Sequence, residues 1–257
     1  MQEMLTAITR AVSPSLNRCE LGYLPRQEID IAKAAEQHQR YEDCLRALGA
    51  SVVSLAAEPE LPDAVFVEDP AVVVDELAVM ARMGAASRRR EAESLAQALA
   101  TFRPLDWLRE PATLEGGDVL RIGATLFVGL SARTNREGIR QLTAALAPLG
   151  YTVVPVEVRG CLHLKTACCY AGGETILANR AWFDTAPFGN FRIVDVAPEE
   201  PRAANVLAIG NTVVIAACFP ATARALERLG RDVRTLDVSE LMKAEAGLTC
   251  SSLLFEA

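Results

Sequence analysis

The sequence predicts an α/β fold in which five similar units close into a ring. One unit recurs along the 257 residues: a helix with apolar residues at 3.6-residue spacing, a short β-branched run, a polar loop and a β-hairpin. Lone apolar runs near the two ends of the sequence, 5–10 and 252–255, can pair to complete the fifth unit. Their pairing would remove an exposed sheet edge and close the ring.

The helix and the strand that follows it occur five times. In chain order the predicted pairs are 30–49 with 51–55, 87–101 with 104–108, 135–150 with 151–156, 180–188 with 191–196, and 220–230 with 231–238. The helix at 180–188 is weak and short. The recurrence indicates one supersecondary unit repeated along the chain.

Hairpins make up the other half of the unit. They are predicted at 71–74 with 77–81, 119–122 with 125–128, 167–171 with 174–178, and 206–209 with 212–216. Glycine or asparagine in the last three turns supplies the positive φ that tight hairpins need. The alternative fold is a doubly wound open α/β sheet, which rarely inserts a hairpin between every crossover.

Composition and charge exclude several classes of protein. A chain that is 51% hydrophobic and 23% charged can bury a substantial core, and we expect residues 1–257 to form a single catalytic domain. The net charge of −7 and the near absence of basic runs disfavour nucleic acid as a partner. No window approaches the roughly 18 apolar residues of a membrane span, and the N-terminus lacks a basic signal region, so we expect a cytoplasmic protein. Seven scattered cysteines without paired CxxC motifs predict reduced thiols and no metal site.

Polar residues stand at the equivalent place in each unit, just before each predicted hairpin or terminal strand. They are Glu68-Asp69, Glu115-Gly116-Gly117-Asp118, His163, Asn205 and Cys250. In a closed ring of similar units these positions lie near the axis. The pattern predicts a Cys/His/acid site in a central channel.

Several of these residue types also have a purely structural interpretation. His163 has apolar neighbours, as a satisfied core histidine would. His38 lies in a polar helical stretch and is expected on a solvated face. Cys168 and Cys169 are expected to point to opposite faces of a strand and to serve packing. Cys250 differs from these two because it follows a loop, where neighbouring groups can polarise its thiol.

Five motifs in this order carry a resemblance to a known family. They are LPDAVFVEDP at 61–70, LEGGD at 114–118, SARTN at 131–135, HLK at 163–165 and LTCSS at 248–252. The chain resembles the dimethylarginine dimethylaminohydrolases over essentially its whole length. This family belongs to the guanidino-group-modifying (pentein) superfamily, whose fold is a five-bladed α/β propeller. Arginine deiminases share that core but resemble a longer chain with a helical insertion.

The resemblance implies a catalytic set of Cys250 as nucleophile, His163 as general acid and base, and Glu115 as the acid that orients His163. Thiolate attack on a guanidinium carbon discharges a cation, so acids that hold the cation near the sulfur matter more than an oxyanion hole. His163 would protonate the departing amine and then deprotonate the water that hydrolyses the thiouronium. No metal and no organic cofactor is needed.

The resemblance also implies how a substrate would be held at its guanidinium and α-amino ends. Asp69, with Glu68 beside it, would hold the guanidinium. Asp63 would bind the α-ammonium, helped by the main-chain oxygens of Leu21 and Ala244. The segment 17–28 is expected to act as a lid that excludes water during attack, or else to be an ordinary surface connection to the helix at 30–49.

The remaining contacts implied by the resemblance concern the carboxylate and the aliphatic stem of the substrate. Arg88 and Arg133 would clamp the carboxylate, and Phe66 would pack on the stem. Two departures from the family pattern, Ala246-Gly247 in place of a glycine pair and Ala244 in place of a bulkier residue, would change the width of the pocket.

The resemblance therefore predicts a hydrolase that converts mono- or dimethylarginine to citrulline and methylamine or dimethylamine through a thiouronium on the cysteine. One alternative is a deiminase-like hydrolase of free arginine or another substituted guanidine. A distant alternative is a non-catalytic five-bladed ring, such as the eukaryotic ribosomal anti-association factor, which binds a protein or RNA surface. We expect a small-molecule substrate and no nucleic-acid or membrane partner. A homodimer stays open.

Overall fold

The computed structural model describes residues 4–257, which contain fifteen strands in five three-stranded sheets. In chain order the strands and α-helices are β1 (Leu5–Arg10), α1 (Ile31–Ala47), β2 (Ser51–Leu55), β3 (Ala71–Val73), β4 (Ala78–Met80), α2 (Glu91–Leu99), β5 (Leu105–Trp107), β6 (Val119–Ile122), β7 (Thr125–Leu130), α3 (Arg136–Leu146), β8 (Thr152–Glu157), α4 (Leu164–Ala167), β9 (Cys168–Tyr170), β10 (Thr175–Ala178), β11 (Arg192–Asp195), β12 (Leu207–Ile209), β13 (Thr212–Ala216), α5 (Pro220–Arg228), β14 (Asp232–Leu236), α6 (Ser239–Met242) and β15 (Leu253–Glu256).

Every sheet repeats the same connectivity. The middle strand is antiparallel to its hairpin partner and parallel to the strand that follows the crossover, as in the order β6-β7-β8. The first sheet, β15-β1-β2, has this arrangement too, because β1 pairs antiparallel with β15 and places Ile8 opposite Leu253. The predicted closure of the ring by the two terminal strands is therefore confirmed.

Five buried apolar clusters join the sheets in cyclic order. The first sheet packs on the second through Ile8 and Met80, and the fifth sheet returns to the first through Val214 and Ala7. Separate clusters join the second to the third, the third to the fourth and the fourth to the fifth. Cys168 and Cys169 contribute to different clusters, as alternate faces of one strand require.

The predicted helices agree with the structure in four of the five units. Side chains cap two of them: the Asp30 carboxylate accepts from the Lys33 N–H, and the Asn135 amide oxygen accepts from the Gly138 N–H. The helix predicted at 180–188 is wrong, since the segment forms two short 3₁₀ turns. Pro187 and side chains that bond the local backbone interrupt it, and Phe183 and Phe188 are buried against the third sheet.

The prediction for His38 is also wrong, because its side chain is only 3% exposed. Helix α1 is covered by α6 as well as by its own sheet, and the Gln37 amide bonds Ser239 of α6. His38 lies on this covered side, 3.6 Å from Glu42, whose carboxylate also accepts from the Thr9 hydroxyl. Tertiary packing thus buries two residues of a polar helical stretch, Gln37 and His38, while the neighbouring polar residues stay exposed. Within residues 4–257, no helix is long and apolar enough to cross a membrane.

Candidate active site

The loops that precede β3, β6, β9, β12 and β15 meet at one place in the ring. His163 Nε2 lies 2.8 Å from Glu115 Oε2, and His163 Nδ1 lies 4.0 Å from Asp69 Oδ1. The Thr249 hydroxyl, next to Cys250, donates to Glu68 at 2.8 Å. The structure therefore brings the predicted acids, the histidine and the turn that carries the cysteine into one cluster.

His163 is buried among three carboxylates. Burial alone would lower its pKa, but the nearby charges of Asp69, Asp118 and Glu115 outweigh burial and raise it to about 9. The pKa of the fully buried Glu115 shifts in the opposite direction. Burial would raise its pKa, yet the hydrogen bond from His163 and the positive charges around it hold the pKa of this carboxyl well below its usual range. The pair is therefore an imidazolium and a carboxylate at neutral pH.

Glu115 is held by more than the histidine. Its Oε1 accepts the backbone N–H groups of Gly84 and Ala85 at 3.1 and 3.3 Å, and Arg133 donates to it at 3.2 Å. A carboxylate with this many donors has one fixed orientation. It can therefore fix the ring of His163.

The two glycines of the LEGGD motif lie where the loop passes too close to neighbouring residues for a side chain to fit. A Cβ on Gly117 would lie 2.5 Å from His163 Nδ1, and one on Gly116 would lie 2.0 Å from the main-chain oxygen of Glu68. Only glycine lets this loop pass so near the histidine and the acidic loop.

Asp118 is a site residue to which the sequence analysis gave no role. It is fully buried, and it accepts the hydroxyls of Ser131 and Thr134 and the N–H of Leu164. These bonds fix the loop that carries Arg133 and the first turn after His163. A buried acid directly after a glycine pair was the available signal.

Arg88 and Asp69 form a buried ion pair. The Arg88 Nη1 donates to Asp69 at 2.9 Å, while its Nε and Nη2 donate to Glu91 at 3.0 and 2.9 Å. Burial opposes the charge of Arg88, but the carboxylates of Glu91, Asp69 and Asp63 outweigh burial and raise its pKa well above the usual value. Glu91 is a second residue that sequence reasoning missed.

Cys250 occupies the 3₁₀ turn Thr249–Ser251, and its Sγ accepts the N–H of Gly247 at 3.4 Å. Burial and the charges of Glu68 and Asp69 raise the pKa of the thiol. Among the described residues no hydrogen bond joins Sγ to His163.

Glu68 points both carboxylate oxygens at protein groups. Lys165 forms an ion pair with Oε1, and Thr249 donates to Oε2. Lys165 had no predicted role beyond its place in the HLK motif.

The predicted lid segment, 17–28, lies between two carboxylates. Asp63 accepts the N–H of Glu20 at 3.1 Å, and Glu245 accepts the N–H of Gly22 at 3.0 Å and those of the next two residues. Leu21 lies between these two attachment points. It packs at the edge of an apolar cluster that contains Phe66 and Ala244.

Asp69, Glu115 and His163 are also the described residues that could hold a metal ion, since one ligand atom of each lies within 4.8 Å of the others. Each already has a partner: Asp69 has Arg88, and Glu115 has both His163 and Arg133. The two carboxylates could bind a cation, but the positive charges beside them in this structure are those of Arg88, Arg133 and His163.

Comparisons of the sequence and of the structure with known proteins point to one and the same family. A family model described as N,N dimethylarginine dimethylhydrolase, eukaryotic, matches residues 21–178. The N(G),N(G)-dimethylarginine dimethylaminohydrolase of Streptomyces coelicolor is 38% identical over 96% of this chain and 95% of its own. A solved structure of the Pseudomonas aeruginosa enzyme, a mutant complexed with citrulline, superposes with a TM-score of 0.93 at 33% identity, covering 98% of this chain and all of that one.

A more distant structure shares only the fold. The N-terminal domain of ArgZ, a cyanobacterial arginine dihydrolase, matches with a TM-score of 0.84 at 18% identity over 97% of both chains. Five cyclically packed sheets around a Cys, His and carboxylate cluster define a pentein of the guanidino-modifying type. Within that class, the chain belongs to the dimethylarginine dimethylaminohydrolase family.

Proposed function

We propose that the protein hydrolyses mono- or dimethylarginine to citrulline and methylamine or dimethylamine, with Cys250 as the nucleophile. The observation that carries this proposal is the charge of the site. A cysteine and an imidazolium lie among the buried acids Glu68, Asp69 and Glu115. Such a site favours a cationic substrate whose charge is lost during the reaction.

The free site and the substrate complement each other. In the free protein the raised pKa of Cys250 keeps the thiol protonated. A guanidinium placed against Asp69 brings positive charge next to the sulfur and lowers the pKa of the thiol. The reactive thiolate therefore forms only when the cation is bound, which protects it from other electrophiles.

Each covalent step then has a proton donor or acceptor. The thiolate forms a C–S bond with the guanidinium carbon, and His163 gives its proton to the substituted nitrogen as that C–N bond breaks. The amine leaves, and neutral His163 takes a proton from the water that attacks the thiouronium. The C–S bond then breaks, the hydroxyl proton of the intermediate passes to the sulfur, and citrulline leaves the regenerated Cys250 thiol. The proton that this thiol lost on forming the thiolate went to solvent, where it is taken up by the free amine.

The other end of the site fits an α-amino acid. Asp63 is buried and can accept from an ammonium group, and Arg133 is partly exposed beside Glu115 and can donate to a carboxylate. Arg88 supplies a second cation, and Phe66, Leu21 and Ala244 supply apolar surface. The P. aeruginosa relative was solved with citrulline, an amino acid of this shape, which supports the assignment.

Free arginine is the second candidate substrate. The departures from the family pattern at Ala244 and Ala246-Gly247 would change the width of the pocket and so the fit of the substituent on the guanidine. A missing methyl group in a pocket is worth only about 1–3 kcal/mol. Arginine and its methylated forms are therefore distinguished by the ratio of their kcat/KM values and not by complete exclusion of one of them. A non-catalytic ring has no use for Cys250, His163 and Glu115 in one cluster.

A substrate panel tests the proposal directly. Arginine, monomethylarginine, dimethylarginine and agmatine are incubated with the protein, and the ureido product is measured by colour development. We expect the methylated arginines to have the highest kcat/KM and agmatine, which lacks the carboxylate, to be poor. A rate for agmatine equal to that of the arginine analogues would refute the carboxylate clamp.

The nucleophile is tested by Cys250→Ser. We expect turnover to fall by about 10³-fold or more with the fold unchanged, since a serine of ordinary pKa attacks a guanidinium far less readily. Cys218→Ser, at an exposed thiol, is the matched control and should keep wild-type activity. Activity of the Cys250 variant within tenfold of wild type would contradict the assignment.

A cytoplasmic location is part of the same proposal, while the choice between monomer and homodimer stays open. All seven cysteines are free, as in a reducing compartment. Sedimentation velocity of the purified protein distinguishes a dimer of twice 27.7 kDa from a monomer.

A further inference from the structure

We propose that Asn205 is a positioning residue for the nucleophile, which fixes the turn that carries Cys250 through Thr249. The inference rests on the proposed role of Cys250. Asn205 itself is expected to touch neither substrate nor the reacting atoms. It stands at the fourth of the five equivalent loop positions, the one to which no chemical role was given.

The carboxamide of Asn205 uses both of its polar ends. Its Oδ1 accepts the N–H of Thr249 at 3.0 Å, and its Nδ2 donates to the Thr249 hydroxyl and to the main-chain oxygen of Lys165, both at 3.0 Å. Two of these bonds hold Thr249, the residue directly before Cys250, and the third ties the same buried amide to Lys165 of the HLK motif. An amide is needed because the site requires a donor and an acceptor on one planar group.

The backbone before the nucleophile is shaped around the same amide. A Cβ on Gly247 would lie 2.2 Å from Asn205 Cγ, so the chain can pass over the amide only as glycine. The N–H of Gly247 in turn donates to Cys250 Sγ. Asn205 therefore meets the chain before the cysteine at two places: it packs close to Gly247 and forms hydrogen bonds with Thr249.

The bonds of Asn205 complete a closed cycle of four residues, which passes through both the main chain and the side chain of Lys165. Thr249 donates to Glu68, Lys165 pairs with Glu68, and Asn205 joins Lys165 to Thr249. The N–H of Glu68 also donates to the main-chain oxygen of Cys250 at 3.3 Å. Four loops from different parts of the chain are thereby locked together beneath the nucleophile.

The cycle separates the catalytic residues from a second cavity. It is lined by Glu68, Lys165 and Thr249 and by neighbouring strand residues, while Cys250, His163 and Asp69 do not line it. The cycle is therefore the floor of the active site. Its loss would let the nucleophile turn shift and would admit water beneath it.

The test compares Asn205→Ala with Asn179→Ala. Asn179 also bonds backbone with both ends of its amide, to Ala181 and Pro201, but it lies outside the cluster. We expect Asn205→Ala to lower kcat by about 10- to 100-fold with KM changed by less than about threefold, because a small misplacement of the nucleophile affects the chemical step. We expect Asn179→Ala to turn over like the wild type.

Thr249 provides a second pair of variants that does not depend on the stability of Asn205→Ala. Thr249→Val keeps the shape but removes the hydroxyl that accepts from Asn205 and donates to Glu68. We expect it to reproduce the loss in kcat. Thr249→Ser keeps the hydroxyl and should restore activity to within about threefold of wild type.

The rate at which iodoacetamide alkylates Cys250, followed by peptide mass spectrometry, reports the accessibility of the thiol without any substrate. In Asn205→Ala and Thr249→Val the thiol should gain water and react faster near pH 8 than in the wild type, whereas Thr249→Ser and Asn179→Ala should react as the wild type does. An unchanged kcat and alkylation profile in Asn205→Ala, or equal losses in Thr249→Val and Thr249→Ser, would overturn the proposal. Failure of the proposed function is a different result: a wild type inactive on the whole panel, or an active Cys250→Ser.

Discussion

At the scale of single residues, the two arginines expected to clamp the substrate carboxylate have different surroundings. Arg88 is buried and donates to both Glu91 and Asp69, while Arg133 donates only to Glu115 and is partly exposed. Arg88 therefore stabilises the acidic loop in addition to its proposed role in binding the substrate carboxylate. Arg133 is free to act mainly in binding.

Replacing each arginine by alanine should separate these effects. We expect Arg133→Ala to lower kcat/KM for methylarginine by an amount that corresponds to about 1.5–3 kcal/mol of lost transition-state stabilisation. The free energy of unfolding should change little. Arg88→Ala should in addition lower the free energy of unfolding by about 3–5 kcal/mol, because it leaves buried carboxylates without their partner. Urea denaturation and steady-state kinetics on both variants measure the two quantities. Equal loss of stability in the two variants would contradict this division.

The raised pKa of His163 predicts how stability depends on pH. Protonation of this residue stabilises the folded state, so its contribution is fully present below about pH 6.5, the ordinary pKa, and is lost as pH rises through about 9. We expect wild type to exceed His163→Gln in free energy of unfolding by at most about 3 kcal/mol near pH 6, and the gap to narrow by pH 9.5. Urea titrations at pH 6, 7.5 and 9.5 check this, and a constant gap would show that the imidazolium is not stabilised as described.

At the scale of elements, the segment 17–28 and the loop that carries Cys250 are joined by Glu245. Its backbone has a φ of 63°, and its carboxylate accepts three successive N–H groups beginning at Gly22. The segment 17–28 and the loop that carries Cys250 are therefore coupled through the side chain of Glu245.

Hydrogen exchange tests whether this segment moves as a lid. We expect amides 20–24 to exchange more slowly when citrulline is bound, and Glu245→Ala to speed their exchange and lower kcat/KM. Gly22→Pro removes the first donor and should lower turnover without altering stability by much. Glu60→Ala, at an exposed acid, is the control. Equal exchange with and without ligand would make the segment an ordinary connection.

Much of this architecture was predictable because its signals are local. Turn glycines, helix caps and apolar periodicity specify each unit over some 40 residues, and the equivalent loop positions then follow from the repeat. The partners of Arg88 and Glu68 were not predictable, since Glu91 and Lys165 read as ordinary helix and loop charges. His38 shows the same limit: it is buried beside Glu42, whose carboxylate accepts from Thr9 of β1, a contact that the local sequence does not reveal.

At the scale of the whole molecule, the ring is held by apolar contacts between neighbouring sheets. Phe255 of β15 is 5% exposed and packs edge to face on Phe102 with ring centroids 5.3 Å apart. It belongs to the cluster that joins the first sheet to the second. The integrity of the ring should therefore be sensitive to this one side chain.

We expect Phe255→Ala to lower the free energy of unfolding by about 3–5 kcal/mol, through lost burial and the cavity left behind. Leu149→Ala, at a side chain 39% exposed, should cost far less. Thermal and urea denaturation of both variants provide the comparison. A Phe255 variant as stable as the Leu149 variant would show that closure of the ring does not depend on this contact.

The pairing of β1 with β15 also has a consequence for folding kinetics. The other strand pairs among the described residues join segments separated by a turn or a single crossover, so each can form early and locally. The β1 and β15 pair brings together residues from opposite ends of the sequence and carries the largest cost in chain entropy, so we expect it to form last. Because β15 begins three residues after Cys250, an intermediate with four finished blades already holds His163 and Glu115 but has no positioned nucleophile. The enzyme should therefore gain activity only at the final step of folding, when the last blade forms.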